Sequence, residues 1–333
     1  MFFKSRPEAL GRVRPRYGGE FSRRVFLGGC AFPLLLSQER AKYSVDVKLV
    51  DVIATVRNSR REIVRGLRKD DFLLEEDGRP QEIRYFSEES DLPLTLGLLV
   101  DTSASQWGIR QTERTAALDF FNRILRDRKD VAFVMRFDRG VEVLGGPTSA
   151  RDQLESALAR LDASDTPQWT AEHPLAPPGF RFGATRLFDA IVEASRRLEP
   201  RKGRKALLAL SDGVDNASAK DADSAIEAAQ RADALVYSVL FSDPHAYSGQ
   251  RGDPRKRGRE ALERLSRETG GSHFHFANVN SLNRIFRQVQ QEIRNEYSLG
   301  YVSDRGAGSG YRRIRLTTRR AGMTVQARDG YYS

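Results

Sequence analysis

The sequence predicts an α/β fold: a doubly wound, mostly parallel sheet inserted in a small β-sandwich. Three observations predict it. Between about residues 94 and 294, apolar runs of strand length alternate with amphipathic helical segments, the pattern of a parallel sheet covered by helices on both faces. The flanks, residues 43–92 and 295–333, read as strands and turns without a helix signal. Neither flank is long enough to bury a core alone, so the two are expected to complete one β-domain around the middle segment.

The elements follow in order. Residues 43–52 alternate polar and apolar, and residues 53–56 continue the strand. Residues 72–76 run into an Asp77-Gly78 turn, and residues 82–86 are expected to return as a hairpin partner. Residues 96–100 are apolar without alternation, as in a strand buried on both faces. Residues 112–126 read as a helix. Residues 131–137 and 141–144 read as a hairpin, giving the sheet one antiparallel edge. Residues 206–210, 235–241 and 273–277 are further strands. The helix expected at 222–232 places Ala225, Ala228, Ala229 and Ala232 on one side, small enough for close packing on a sheet. The tail returns to strands at 297–302, 311–318 and 324–327, with a Gly-rich turn at 306–310. The expected division is thus 1–41 as a signal segment, 42–92 and 295–333 as two parts of the sandwich, and 93–294 as the α/β domain.

Composition narrows the class. Hydrophobic residues make up 39% and charged residues 30% of the 333 residues, as in a soluble globular protein. The formal net charge is +10, but the first 41 residues carry eight Lys/Arg against three Glu, and removing that +5 leaves +5. No aromatic-basic interleaving accompanies the excess, so no nucleic-acid partner is expected. The single Cys30 excludes an intramolecular disulfide framework and a multi-Cys zinc site.

The amino terminus reads as an export signal. Ser22-Arg23-Arg24-Val25-Phe26-Leu27 matches the twin-arginine pattern S-R-R-x-F-L ahead of an apolar stretch, residues 25–36, too short for a spanning helix. No clean A-x-A precedes Lys42, so no cleavage site is marked in the sequence; residues 37–41 are the zone where one would fall. Leu27-Gly28-Gly29-Cys30 has the form of a lipoprotein box but precedes most of the apolar stretch, which argues against lipidation. The expected location is the periplasm, cell envelope or exterior, with at most peripheral membrane contact.

Three junctions carry the chemistry. The apolar run ending at Val100 gives way to Asp101-Thr102-Ser103-Ala104-Ser105, placing oxygen side chains just beyond the carboxyl end of a strand, where open α/β sheets bind ligands. Gly183-Ala184-Thr185 puts a hydroxyl at the start of a helix, and Ser211-Asp212-Gly213 again ends a buried strand in a carboxylate. Oxygen-only donors suit a hard divalent cation, Mg²⁺, or Mn²⁺ or Ca²⁺. Asp and Ser after a strand also serve as plain helix caps, and Asp212-Gly213 as a plain turn.

In these residues the chain resembles the von Willebrand factor A (VWA) family, a Rossmann-like fold whose metal-ion-dependent adhesion site (MIDAS) reads D-x-S-x-S, then a distant Thr, then a distant Asp. The matching positions are Asp101, Ser103, Ser105, Thr185 and Asp212. The resemblance implies that Ser103, Ser105 and Thr185 coordinate directly, with the carboxylates acting partly through water. Further motifs resemble a bacterial VWFA-related subgroup: Lys69-Asp70-Asp71-Phe72, Glu76-Asp77-Gly78, Tyr297-Ser298-Leu299-Gly300-Tyr301 and Arg328-Asp329-Gly330-Tyr331-Tyr332.

Other features have plainer readings. His273 and His275 share one face of a strand, but no third ligand is apparent in the sequence, so a satisfied, partly buried pair is expected. His173 and His245 sit in loops. Arg251-Gly252-Asp253 is a chance tripeptide, and Arg255-Lys256-Arg257-Gly258-Arg259 a solvated helix start. Residues 162–182, with Trp169, lead directly to Thr185 and read either as a binding loop over the metal or as a plain surface excursion. Trp107 is expected to pack into the helix after it. No Ser/His/Asp set or Cys nucleophile is present, and the turn at Ser103 is not G-x-S-x-G, so no enzyme is expected. The expected function is a metal-dependent module that captures an Asp or Glu of a protein partner. The alternative is a structural component of the cell envelope whose metal only ties loops together.

Overall fold

The computed structural model describes residues 49–88, 91–103, 110–161, 184–241, 253–305 and 310–333. The twin-arginine segment, Cys30, Ser105, Trp107, the 162–182 loop, His245, Arg251-Gly252 and most of the 306–310 turn lie outside them. Among the described residues no helix is long and apolar enough to cross a membrane.

The strands are β1 (Leu49–Arg57), β2 (Phe72–Glu76), β3 (Arg79–Pro80), β4 (Ile83–Ser87), β5 (Leu94–Asp101), β6 (Val131–Phe137), β7 (Val141–Thr148), β8 (Arg204–Ser211), β9 (Ala234–Leu240), β10 (His273–His275), β11 (Tyr297–Val302), β12 (Tyr311–Thr318), β13 (Thr324–Ala327) and β14 (Gly330–Tyr332). The helices are α1 (Arg110–Ile124), α2 (Arg151–Ala159), α3 (Leu187–Leu198), α4 (Ala222–Arg231), α5 (Pro254–Thr269) and α6 (Val279–Arg294).

Six strands form the central sheet in the order β10-β9-β8-β5-β6-β7, parallel except for the edge strand β7. β5 is buried along its whole length, as its unbroken apolar run requires. Alternate residues serve opposite faces. Leu94, Leu96, Leu98 and Val100 join a core with α1, α2 and α6; Leu99, Phe133 and Leu207 join a core with α3, α4 and α5. Gly97 lies on the second face, where a Cβ would overlap Phe133 and Leu207, so its missing side chain is the space those two fill. Of the four alanines expected on one side of the α4 segment, Ala225, Ala229 and Ala232 are buried and Ala228 is half-buried at the margin of the same core. The architecture is the doubly wound fold read from the sequence.

The remaining strands build two four-stranded sheets, β13-β1-β11-β4 and β14-β12-β2-β3. Each mixes strands from before and after the α/β layer. β1 lies between β11 and β13, and β2 pairs with β12. Ser87 in β4 sits opposite Ser298 in β11. Between the sheets Val50, Val52, Phe72, Leu74, Tyr297, Leu299, Tyr301, Ile314 and Leu316 form a third core. Each large apolar side chain buried there contributes about 1.5–3 kcal/mol.

Two local expectations are corrected. The strand at 82–86 does not return to β2. The two-residue β3 does so directly after Asp77-Gly78, where both residues have positive φ, and β4 crosses to the other sheet beside β11. Pro80 has no N–H to extend the ladder, and Ile83 is buried with β11 partners instead. A single 3-10 turn, Lys69–Asp71, also interrupts the expected all-β stretch; the Asp71 carboxylate accepts the Arg68 N–H at 2.7 Å.

Candidate functional site

The strand order fixes where a site forms. From β5 the chain builds outward to β6 and β7 on one side, and to β8, β9 and β10 on the other. β5 and β8 therefore flank the point where the sheet order reverses, and the crevice beyond their carboxyl ends is the usual ligand position of such sheets. Asp101 ends β5 and Ser211 ends β8.

Four of the five expected residues lie at this edge or on loops tied to it. Asp101, Ser103, Thr185 and Asp212 are all buried, each 5% exposed or less. Asp101 accepts the Ser103 N–H at 2.9 Å and the Ser211 hydroxyl at 2.6 Å. Ser211 Oγ in turn accepts the Gly213 N–H at 2.9 Å, and Asp212 accepts the Val214 N–H at 3.0 Å. Burial pushes the Asp101 carboxyl well above the usual carboxylate range; the Asp212 charge adds to this, against hydrogen bonds from Ser103 and Ser211. Ser105 lies outside the described residues.

Thr185 is held by the loop after β8. Its N–H donates to Asn216 Oδ1 at 2.8 Å, and its carbonyl accepts from the Asn216 and Ala217 N–H groups at 3.2 Å. Arg186, the residue before α3, gives that helix no side-chain cap. Instead the loop caps it. Asp215 accepts the Phe188 N–H at 2.9 Å and Ser218 Oγ the Asp189 N–H at 3.0 Å, satisfying donors that a helix start leaves open. Asp189 reciprocates by accepting the Ala219 and Lys220 N–H groups, both at 3.0 Å. This two-way clamp joins the Thr185 junction to the Asp212 junction.

The turn at Asp212 has its own constraint. Gly213 has φ +77°, and a Cβ there would overlap the Gly258 carbonyl of α5; a Cβ on Gly258 would overlap the Asp212 carbonyl. Positive φ and close backbone approach both demand glycine. The expected solvated run 255–259 thus has one buried member, Gly258, among exposed cations. Asp253 accepts the Lys256 N–H at 3.1 Å as the cap of α5, which gives the acidic residue of Arg251-Gly252-Asp253 a plain structural task.

Asp215, Asn216, Ser218 and Ser211 were not expected at the site. Their signal is the density of turn-forming oxygen side chains in Ser211-Asp212-Gly213-Val214-Asp215-Asn216-Ala217-Ser218.

The donor set fits a divalent cation. It consists of oxygen atoms, and its two carboxylates are close enough for the charge of one to raise the other. Among the described residues no Lys or Arg forms an ion pair with Asp101. A hard cation at such a point would relieve both the burial and the repulsion.

No protein-family model and no curated protein matches the chain. Solved structures are similar at low identity. BatB from Bacteroides thetaiotaomicron is 18% identical over 60% of this chain and 97% of its own, with a TM-score of 0.44. Proximal thread matrix protein 1 from the mussel byssus, with a zinc-occupied MIDAS motif, is 13% identical over 64% of this chain and 48% of its own, TM-score 0.46. The SpRpn10 VWA domain is 15% identical over 57% of this chain and 93% of its own, TM-score 0.38.

Proposed function

We propose that the chain is an exported, non-enzymatic binding module of the VWA type, which captures an acidic residue of a protein partner through a Mg²⁺ held at the β5/β8 edge. The observation that carries this reading is the pair of buried carboxylates, Asp101 and Asp212, set among hydroxyls at the sheet's switch point. Asp101, Ser103, Thr185 and Asp212, with Ser105, would hold the ion. A bound Mg²⁺ would offer one open position to a partner carboxylate, and hydroxyl rather than carboxylate contacts would leave it under-neutralised and receptive. Export rests on Ser22–Leu27 as a twin-arginine signal; Arg23→Lys with Arg24→Lys is then expected to hold the protein in the cytoplasm.

Calorimetric titration with Mg²⁺ tests the site. The wild type is expected to bind and Asp101→Ala to lose binding while keeping its circular dichroism spectrum; equal affinity in the two would overturn the assignment. A partner retained from envelope extract in Mg²⁺ should be released by EDTA and not retained by Asp101→Ala.

A second reading draws on the depth of burial of the same four residues. A metal there would tie three loops together without meeting a partner. In that case EDTA lowers the melting temperature and leaves partner retention unchanged.

A further inference from the structure

A second cluster lies at the edge of the central sheet. His273 and His275 project from β10 toward α5, because strand residues two apart share a face and their ladder partners Ser238 and Leu240 lie on that side. α5 brings Glu263 to them. One potential ligand atom from each of Glu263, His273 and His275 lies within 4.8 Å of the others, and the two rings meet edge to face with centroids 4.9 Å apart. The third ligand that the sequence did not reveal is supplied by the covering helix.

The hydrogen bonds prepare His273 for a metal. Ser238 Oγ lies 3.2 Å from the Leu262 carbonyl, 2.8 Å from Ser266 Oγ and 2.8 Å from His273 Nδ1. With the Ser238 proton directed to Leu262 or Ser266, the hydroxyl accepts from Nδ1–H, and in that tautomer the lone pair lies on Nε2. Nε2 is buried and has no hydrogen-bond partner among the described residues. A ring nitrogen oriented through its other N–H is the usual arrangement of a metal-bound histidine, and a buried acceptor left without a partner is unfavourable. The Glu263 side chain is 44% exposed and 3.8 Å from Arg259 Nε, a loose, solvent-screened pair that a metal can displace. Around a tetrahedral Zn²⁺, bonds of about 2.0–2.1 Å set neighbouring ligand atoms about 3.4 Å apart, a closure within reach of small side-chain rotations of Glu263 and the exposed His275.

We infer that Glu263, His273 and His275 form a Zn²⁺ site, separate from the oxygen-only edge at Asp101, that pins α5 to the edge strand β10 and leaves a fourth position to water. Two imidazoles with one carboxylate suit Zn²⁺, whereas the hydroxyl and carboxylate set at Asp101 suits Mg²⁺.

The test is calorimetric titration of the full chain with Zn²⁺ in a large excess of Mg²⁺, with melting measured alongside. The wild type is expected to bind one Zn²⁺ and melt higher with it. His275→Ala and Glu263→Gln change partly exposed side chains and should fold; each is expected to weaken Zn²⁺ at least about tenfold and to lose the rise in melting. Asp101→Ala should retain both effects, so failure of the Mg²⁺ reading leaves this one standing. Zn²⁺ affinity unchanged in His275→Ala or Glu263→Gln, or lost only in Asp101→Ala, would overturn it.

Discussion

Tyr301 donates a 2.6 Å hydrogen bond to Glu76 from the opposite sheet of the sandwich, 225 residues away in sequence. Ser303 and Tyr331 donate to the same carboxylate at 2.6 and 3.0 Å, and Arg312 pairs with it at 3.2 Å. Burial alone would raise Glu76, but hydrogen bonds from Ser303, Tyr301 and Tyr331 and the Arg312 charge outweigh it, and its carboxyl sits below the usual value. Glu76-Asp77-Gly78, Tyr297 to Tyr301 and Arg328 to Tyr332 therefore share a physical reason: they meet around one buried anion.

Glu76→Ala is expected to destabilise the protein by about 3–5 kcal/mol, because it strands the Arg312 charge and three hydroxyls. Tyr301→Phe removes one donor and should cost only about 0.5–3 kcal/mol. Urea denaturation compares them; equal costs would mean that Arg312 finds another partner.

A chain ending at Arg294 lacks both ladder partners of β1 and leaves buried Arg204 without Glu296, its ion-pair partner at 3.2 Å. Open strand edges invite association. The expected outcome is loss of strand signal by circular dichroism and aggregation by sedimentation. A soluble truncated chain with a protected β1 by hydrogen exchange would mean that the amino-terminal strands stand without the tail.

Asp130 makes acid stability predictable. Burial would raise it, but the Arg126 side chain, the Arg126 backbone N–H, the Leu94 N–H and Arg294 outweigh that and bring it down to about 2. A folded value below the unfolded 3.8 gives stability that is present above pH 3.8 and lost as pH falls through about 2. The amount is about 2 kcal/mol. Asp130→Asn should lower stability at neutral pH by a similar amount and flatten the acid limb of the urea midpoint against pH.

Gly213→Ala meets both an unfavourable φ and the Gly258 carbonyl. A loss of about 1–3 kcal/mol is expected from the strained backbone, with a further loss from the overlap, and weaker Mg²⁺ binding because Asp212 moves with the turn. Gly258→Ala should also destabilise, through the overlap from the other side. Melting curves with and without Mg²⁺ check both.

The central sheet was legible because its signals are local. An unbroken apolar run such as 96–100 needs two covered faces, and small residues on one side of α4 need a close neighbour. The tail strands β11, β12 and β13 were legible as short β-type runs around a Gly-rich turn. The destination of β4 was not, because the Asp77-Gly78 turn announces a hairpin but not how soon the ladder ends at Pro80. The loop clamp on Thr185 and the approach of Glu263 to the histidines were equally hidden. Each depends on a helix docking against a distant loop or strand, and no periodicity within one segment records that.

Ser87 and Ser298 sit directly opposite each other in an antiparallel ladder, so the chain leaves the sandwich and re-enters it at adjacent points. Topologically, everything between them is the loop of one β-hairpin. A short turn joining them would close β4 onto β11 but remove Glu292 and Asp233, the partners of Arg57 and Arg328 in the sandwich, so a different insert grafted there would have to replace those contacts. The sandwich thus works as a socket fitted to its cargo: Gln326 donates to the Gly270 carbonyl and Arg328 to Asp233, both at 3.0 Å.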